Sequence, residues 1–300
     1  MNILITPPRN RQALAAFLEE MNTDQTKHVG YCGNVKEEIY DTISTDFSDL
    51  DVDQSFAVAY QHDRIVGAIG LDIDEEDLSA EVWGPFISDV ADQSSVAEEL
   101  WRKVLEFSGL QLSNFYFFLS KENRFGQQFA LAHGGVENGH HSILLAKKSD
   151  KRDVDGSGIQ LYMPKDYQDF KELHEREFPS TYFNAEQIIN RLSDTHKLFI
   201  ARTSDGKMQG YVYVEAQPTH HEGSIEYIAI SNDFRKQGLG TKLLTFAMQE
   251  LFQHDTIEEI SLCVESANEQ ALKLYQAAGF EVLHELISYK INRFSGVVLR

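Results

Sequence analysis

Arg235-Lys236-Gln237-Gly238-Leu239-Gly240 stands between an apolar run and a long amphipathic segment, and its reading decides the fold around it. Upstream, Ile225-Glu226-Tyr227-Ile228-Ala229-Ile230 is short and rich in β-branched residues, the pattern of a buried strand. Downstream, Leu239, Leu243, Leu244, Ala247 and Leu251 recur every three or four residues, one face of a helix. A strand, a glycine turn and a helix in that order leave the first N–H groups of the helix without intrahelical partners. Those donors, the positive end of the helix dipole and the cations Arg235 and Lys236 compose a cradle for a pyrophosphate. Glycine admits the anion because no Cβ stands in the way.

R-x-x-G-x-G alone is also plain turn chemistry, and a second element resolves it. Val264-Glu265-Ser266-Ala267-Asn268 reads as a strand end and an Asn N-cap; Glu269 to Ala278 reads as a short helix that stops at Gly279-Phe280. The two elements in this order resemble the GCN5-related N-acetyltransferase (GNAT) superfamily. Arg235, Gly238 and Gly240 match its pyrophosphate motif; Asn268, Ala271, Leu274, Tyr275, Gly279 and Phe280 match the block that follows. The resemblance covers residues 159–292. It implies acetyl-CoA as cofactor, held by Arg235, Lys236, Gln237, Gly238, Leu239, Gly240 and Thr241 at the pyrophosphate. The backbone of Ile228 and Ile230 takes the pantetheine arm, and Asn268 and Tyr275 lie beside it.

Transfer to an amine needs a neutral nucleophile. A lysine-like amine at pH 7 is neutral in roughly one molecule in 2,500, a cost of about 4.6 kcal/mol. A base must take the proton and an acid must protonate the departing thiolate. The resemblance implies Tyr275 as acid and Glu226, acting through water, as base. Each has a plainer reading: Tyr275 as a core aromatic whose hydroxyl reaches the rim, Glu226 as a solvated strand-end carboxylate. Asn268 is a helix cap first. Phe178-Pro179-Ser180-Thr181-Tyr182-Phe183 matches the family's acceptor-site loop in position, and also serves as a staple ahead of an Asn184 cap. The paired His220 and His221 point to opposite faces of an extended chain, which argues for a loop and no metal.

Two cysteines, Cys32 and Cys263, are too few for a disulfide framework or a thiolate metal site, and Cys263 reads as a small core residue. With no cysteine near the motifs, direct attack is expected in preference to a covalent acetyl-enzyme. No apolar run spans a bilayer and Met1–Pro8 lacks the pattern of a signal peptide, so a cytoplasmic protein is expected. The net charge of −20 divides into −14 for residues 1–150 and −6 for the rest, which argues against nucleic acid or anionic membrane as partners. A small-molecule or peptide amine, cationic if the acidic half steers it, is the expected acceptor.

The same order of elements occurs twice. Phe56–Tyr60 and Ile65–Leu71 answer Leu198–Arg202 and Met208–Val214 as hairpins, and Asn123 to Gly134 spans the same distance as Asn268 to Gly279. At an offset of 145, Arg235, Gly238, Gly240 and Tyr275 fall on Val90, Gln93, Ser95 and Ala130, so the first copy lacks the cradle and the tyrosine. The expectation is an α+β chain of two tandem GNAT-type domains, each a mixed, mostly antiparallel sheet flanked by helices. Residues 1–146 form a degenerate copy, 147–158 a linker and 159–300 the catalytic domain. In outline this resembles tandem acetyltransferases such as mycothiol synthase, with no substrate implied. A chain that binds acyl-CoA as a regulator or scaffold, without turnover, is the alternative.

Overall fold

Phe56–Gln61 (β2) and Arg64–Asp74 (β3) pair antiparallel from Phe56↔Gly70 to Gln61↔Arg64, and the turn is made at His62 in the left-handed region. Both belong to the first of two units into which the computed structural model divides, Met1–His141 with Glu285–Arg300 and Ser142–His284. The structure describes residues 3–89, 92–150, 152–179 and 181–293. Met1, Val90 and Ser180, named in the sequence reading, and residue 151 of the expected linker lie outside them.

In the first unit, Ile3–Thr6 (β1) pairs with β2, and Ser79–Ile87 (β4) extends β3 antiparallel. Helices Arg11–Asn22 (α1), Lys36–Thr45 (α2) and Val52–Ser55 (α3) precede β2. Helix Gln93–Ser108 (α4) then crosses over to Asn114–Ser120 (β5), which runs parallel to β4. That crossover is what a parallel pair requires. Alternation along β5 buries Phe115, Phe117 and Leu119, and Trp101 of α4 meets Phe115 edge-on at 4.9 Å. Helix Arg124–Ala132 (α5), capped by Asn123, leads into Val136–Lys147 (β6), whose Ser142–Lys147 end belongs to the second unit.

The second unit repeats the plan. Ile159–Leu161 (β7), His196–Arg202 (β8), Met208–Gln217 (β9) and Glu222–Ile230 (β10) are successively antiparallel. Helices Tyr167–Glu177 (α6) and Ala185–Arg191 (α7) lie between β7 and β8 in the chain. Helix Leu239–Leu251 (α8) crosses over to Glu259–Glu265 (β11), and helix Glu269–Ala278 (α9) follows. Period-two alternation sorts β9: Val212 and Val214 join the core under α8 and α9, while Tyr211 and Tyr213 join the core under α6 and α7.

The boundaries differ from the expected ones. The last strand, Glu281–Asn292 (β12), leaves the second unit at Glu285 and pairs with β5 from Leu286↔Ser120 to Asn292↔Asn114. The described residues of 147–158 are tied into the second unit and do not form a free linker. Lys148 N donates to Glu258 O (2.8 Å), Val154 N to Gln249 Oε1 (3.0 Å) and Lys242 Nζ to Ser157 O (2.6 Å). Among the described residues no helix is long and apolar enough to cross a membrane.

Candidate active site

Strands β10 and β11 run parallel at three positions only, Glu222↔Glu259, Gly223↔Ile260 and Ser224↔Ser261. β10 continues to Ile230 with β9 alone, so the two parallel strands part after Ser224. From there the β11 side of β10 is open, the side along which Ile228 and Ile230 lie. Both are partly buried against the core of the second unit.

At the point of parting, β10 carries a bulge. Ile225 pairs with Val214 and Tyr227 with Tyr213, which leaves Glu226 as the extra residue. A bulge re-aims the side chain it holds. Glu226 is open to solvent, yet protein surrounds it closely enough that burial raises its carboxyl above the ordinary range; Ser224 opposes this by hydrogen bonding, Glu215 adds to it and Arg191 opposes it. A crevice open at its mouth and walled on its sides accounts for both.

Cys263 departs from the sequence reading. Ile260, Leu262 and Val264 are buried, and Cys263 alternates onto the opposite, open face. Burial and then the charge of Glu226 push its thiol to about 11. Tyr275 comes next: burial and then Cys263 push its phenol to about 12. Its ring is 9% exposed and packs edge-to-face on Phe280 at 6.1 Å. Among the described residues its hydroxyl has no hydrogen-bond partner. Glu226 thus acts on Cys263 and Cys263 on Tyr275 across the parted strands, and a cysteine does lie beside the motifs.

The cradle sits beyond Ile230. Residues 235–238 are exposed, Lys236 has φ +59° and Gly238 has φ +80°. Gly238 caps α8 with no side-chain bond, and the first helical bond is from Lys242 N to Gly238 O (3.0 Å). The N–H groups of Leu239, Gly240 and Thr241 precede that bond and have no helical acceptor. A Cβ on Gly238 would meet nothing within 4 Å, so the cap position itself is open. A Cβ on Gly240 would come to 3.4 Å from Leu274, where α8 passes α9. Arg235 is hydrogen-bonded within the protein. Its Nε donates to Ile230 O (2.9 Å) and its Nη2 to Glu177 Oε2 (2.5 Å), and Lys236 has no ion pair among the described residues. Gln237 Nε2 donates to Asp233 O at 3.2 Å. Asn268 Oδ1 accepts from Ala271 N (3.1 Å) and so caps α9 as expected.

The loop ahead of Asn184 is pinned to the sheet. Thr181 Oγ1 (2.7 Å) and Phe183 N (3.1 Å) both donate to the Tyr227 hydroxyl. His174 Nε2 donates to Phe183 O (2.9 Å), which leaves Nδ1 to accept from the Tyr211 hydroxyl (2.6 Å). Beneath Glu226, the buried Glu215 accepts from Tyr213 (2.5 Å) and from Nε and Nη2 of Arg191 (3.2 and 3.0 Å). Sequence reading missed this group, although Tyr211, Tyr213 and Glu215 alternate on one face of a strand. Among the described residues no three His, Cys, Asp or Glu side chains converge to hold a metal.

Residues 165–280 match the model of the acetyltransferase (GNAT) family. The catalytic subunit of the N-terminal acetyltransferase A complex of Arabidopsis thaliana is 32% identical over 116 residues, 38% of this chain and 56% of that protein. Mycothiol acetyltransferase of Acidimicrobium ferrooxidans is 36% identical over 90 residues, 29% of each. The chain thus spans about half of the first and less of the second. Among solved structures, a GCN5-related N-acetyltransferase from Sphaerobacter thermophilus superposes with a TM-score of 0.74 at 15% identity, covering 97% of this chain and 95% of that one. A tandem GNAT protein from the clavulanic acid biosynthesis pathway gives 0.65 at 13%, covering 97% and 98%. At these identities the likeness is one of fold, and it extends over both units.

Proposed function

Because residues 165–280 form an acetyltransferase domain of the GNAT family, we infer that the second unit moves an acetyl group from acetyl-CoA to a primary amine by direct attack. The observation that supports this reading is the parting of β10 from β11 after Ser224, with Glu226 acting on Cys263, Cys263 on Tyr275, and the bare start of α8 following β10 in the chain. When bound, acetyl-CoA supplies an acetyl thioester. The N–H groups of Leu239, Gly240 and Thr241, with Arg235 and Lys236 nearby, would hold its pyrophosphate, and the open edge of β10 at Ile228 and Ile230 would take the arm. Glu226, its proton affinity raised, accepts the amine proton through water. The Tyr275 hydroxyl, free of other partners among the described residues, would donate its proton to the departing sulfur. An acid with its pKa near 12 gives up a proton only as negative charge develops beside it, which confines that donation to the moment of bond breaking.

Relatives named as an N-terminal acetyltransferase subunit and an N-alpha-acetyltransferase put peptide α-amines first in the acceptor panel. Their pKa near 8 makes deprotonation cheaper by about 3 kcal/mol than for a lysine. The first unit would be a copy without turnover. Release of free CoA thiol against a panel of peptide N-termini, amino acids, polyamines and aminoglycosides tests the reading. Amine-dependent thiol release supports it; acetyl-CoA binding without release for any amine leaves a binding protein instead.

A further inference from the structure

The first unit has a crevice of its own. β4 and β5 run parallel only over Ser79–Glu81 and Asn114–Tyr116 and then part, as β10 and β11 do. Where β4 ends and α4 and α5 begin, a cavity of about 420 Å³ opens. That is within the ~300–1,000 Å³ typical of small-molecule sites. The corresponding elements of the second unit are the end of β10 and the starts of α8 and α9.

The two crevices share a place in the fold and differ in charge. In the first, α4 begins on Asp92, whose carboxylate accepts from Ser95 N (3.0 Å) and Ser95 Oγ (2.7 Å). A negative group is already seated at that helix start. Asp89 and Glu122 border the cavity, and neither carboxylate has an ion-pair partner among the described residues. Three carboxylates would repel a pyrophosphate. Lys27 and Arg124 border the same cavity and are only loosely held: Lys27 Nζ lies 3.4 Å from Asp24 Oδ2, and Arg124 Nη1 lies 3.4 Å from Gln127 Oε1. Pro85 and Phe125 add apolar wall. The buried Asn123 is committed elsewhere, accepting from Gly126 N (2.8 Å) and donating to His28 O (3.2 Å), so it fixes the wall and leaves recognition to the charged pairs.

Two anions and two cations around an apolar wall suit a ligand that carries both charges and an apolar body. We propose that the first unit binds a zwitterionic, amino-acid-like molecule in this cavity, its ammonium toward Asp89 and Glu122 and its carboxylate toward Lys27 and Arg124. The unit then keeps the ligand crevice of its fold while taking a different class of ligand.

Calorimetry on the full chain with L-leucine and L-phenylalanine tests this. N-acetyl-L-leucine, which lacks the ammonium, and L-leucine amide, which lacks the carboxylate, serve as matched probes. At least one of the two amino acids should bind. Removal of either charge from the ligand should weaken binding tenfold or more, as should Arg124→Ala or Glu122→Gln. Both side chains are exposed, and circular dichroism checks that the variants fold. Gly238→Asp, in the other unit, should leave this binding unchanged. If neither amino acid binds, or if Arg124→Ala and Glu122→Gln leave the affinity unaltered, the proposal is overturned, and in the second case the ligand sits elsewhere.

Discussion

Ser95 donates both its backbone N–H and its hydroxyl to Asp92, at 3.0 and 2.7 Å, and so closes the start of α4 with a fixed negative charge. The start of α8 is the opposite case, a glycine with φ +80° and open space where a Cβ would stand. The same helix position in the two units therefore makes opposite electrostatic demands on a ligand.

Acetyl-CoA should accordingly bind once per chain, and Gly238→Asp should abolish it. The new carboxylate meets no protein atom, so the fold survives, and Asp is among the residues that accept a left-handed backbone. It would occupy the pyrophosphate's place. Calorimetry should give one site for the native chain and none for the variant. The full chain is needed because residues from Glu285 onward belong to the first unit. A second site, or unchanged affinity in the variant, would move the cradle elsewhere.

Cys263 should be dispensable. A thiol held near pKa 11 is thiolate in about one molecule in 10⁴ at pH 7, a poor standing nucleophile. Cys263→Ala should keep turnover within a few-fold, and acetyl-CoA alone should leave no acetyl adduct on the protein by intact mass. An adduct lost in Cys263→Ala would mean a covalent intermediate in place of direct attack.

That cysteine shows where sequence reading stops. The period of two in Ile260, Leu262 and Val264 was legible and put Cys263 on the other face, but whether that face is core or crevice depends on β10 parting from β11. Local chemistry was legible throughout: the Asn123, Asn184 and Asn268 caps, the Gly238 turn and the hairpins depend on neighbours in the chain. Pairing at a distance was not. Leu286, Ile287, Tyr289 and Ile291 could cover the edge of many sheets, and nothing local says that they pair with β5. Nor does anything local show that Arg235 meets Glu177, 58 residues away.

Tyr275→Phe should lower kcat by about 10- to 1,000-fold, the range for losing one acid catalyst, with acetyl-CoA affinity nearly unchanged. The ring contact with Phe280 survives the substitution and only the donor goes. Steady-state kinetics with binding measured in parallel separates the two quantities. Native kcat in the variant would make Tyr275 a core aromatic and nothing more.

In the first unit, Asp72 and Glu81 face each other across β3 and β4. Burial, then Asp46, Asp49 and Asp74, push Asp72 to about 6; burial and then Asp72 push Glu81 to about 7. A carboxyl whose pKa is raised on folding binds more protons in the native state, so stability falls as pH rises, here between about 4 and 7. Glu81→Gln should raise stability at pH 8 by about 1–3 kcal/mol and change little at pH 5. Thermal melts at the two pH values decide it. An equal change at both would mean that the pair does not titrate as stated.

Glu226 makes the sharpest demand on the pH profile. Burial lifts its carboxyl above the ordinary 4.5, Glu215 lifts it further, and Arg191 restrains it. A base works only when deprotonated, so kcat/KM should rise with pH through an apparent pKa displaced above 4.5 and then level off. The acceptor amine contributes a separate limb near pKa 8 for an α-amine or 10.4 for a lysine-like amine, well above the first. Glu226→Gln keeps the bulge and nearly the same shape while removing the proton acceptor. It should cost about 10²- to 10⁴-fold in kcat/KM, and the lower limb should vanish while the upper one remains. An α-amine and a lysine-like acceptor compared side by side identify the limbs, since only the upper one moves with the acceptor. If the lower limb persists in Glu226→Gln, the base is another group, and the buried Glu215 beneath it becomes the residue to examine.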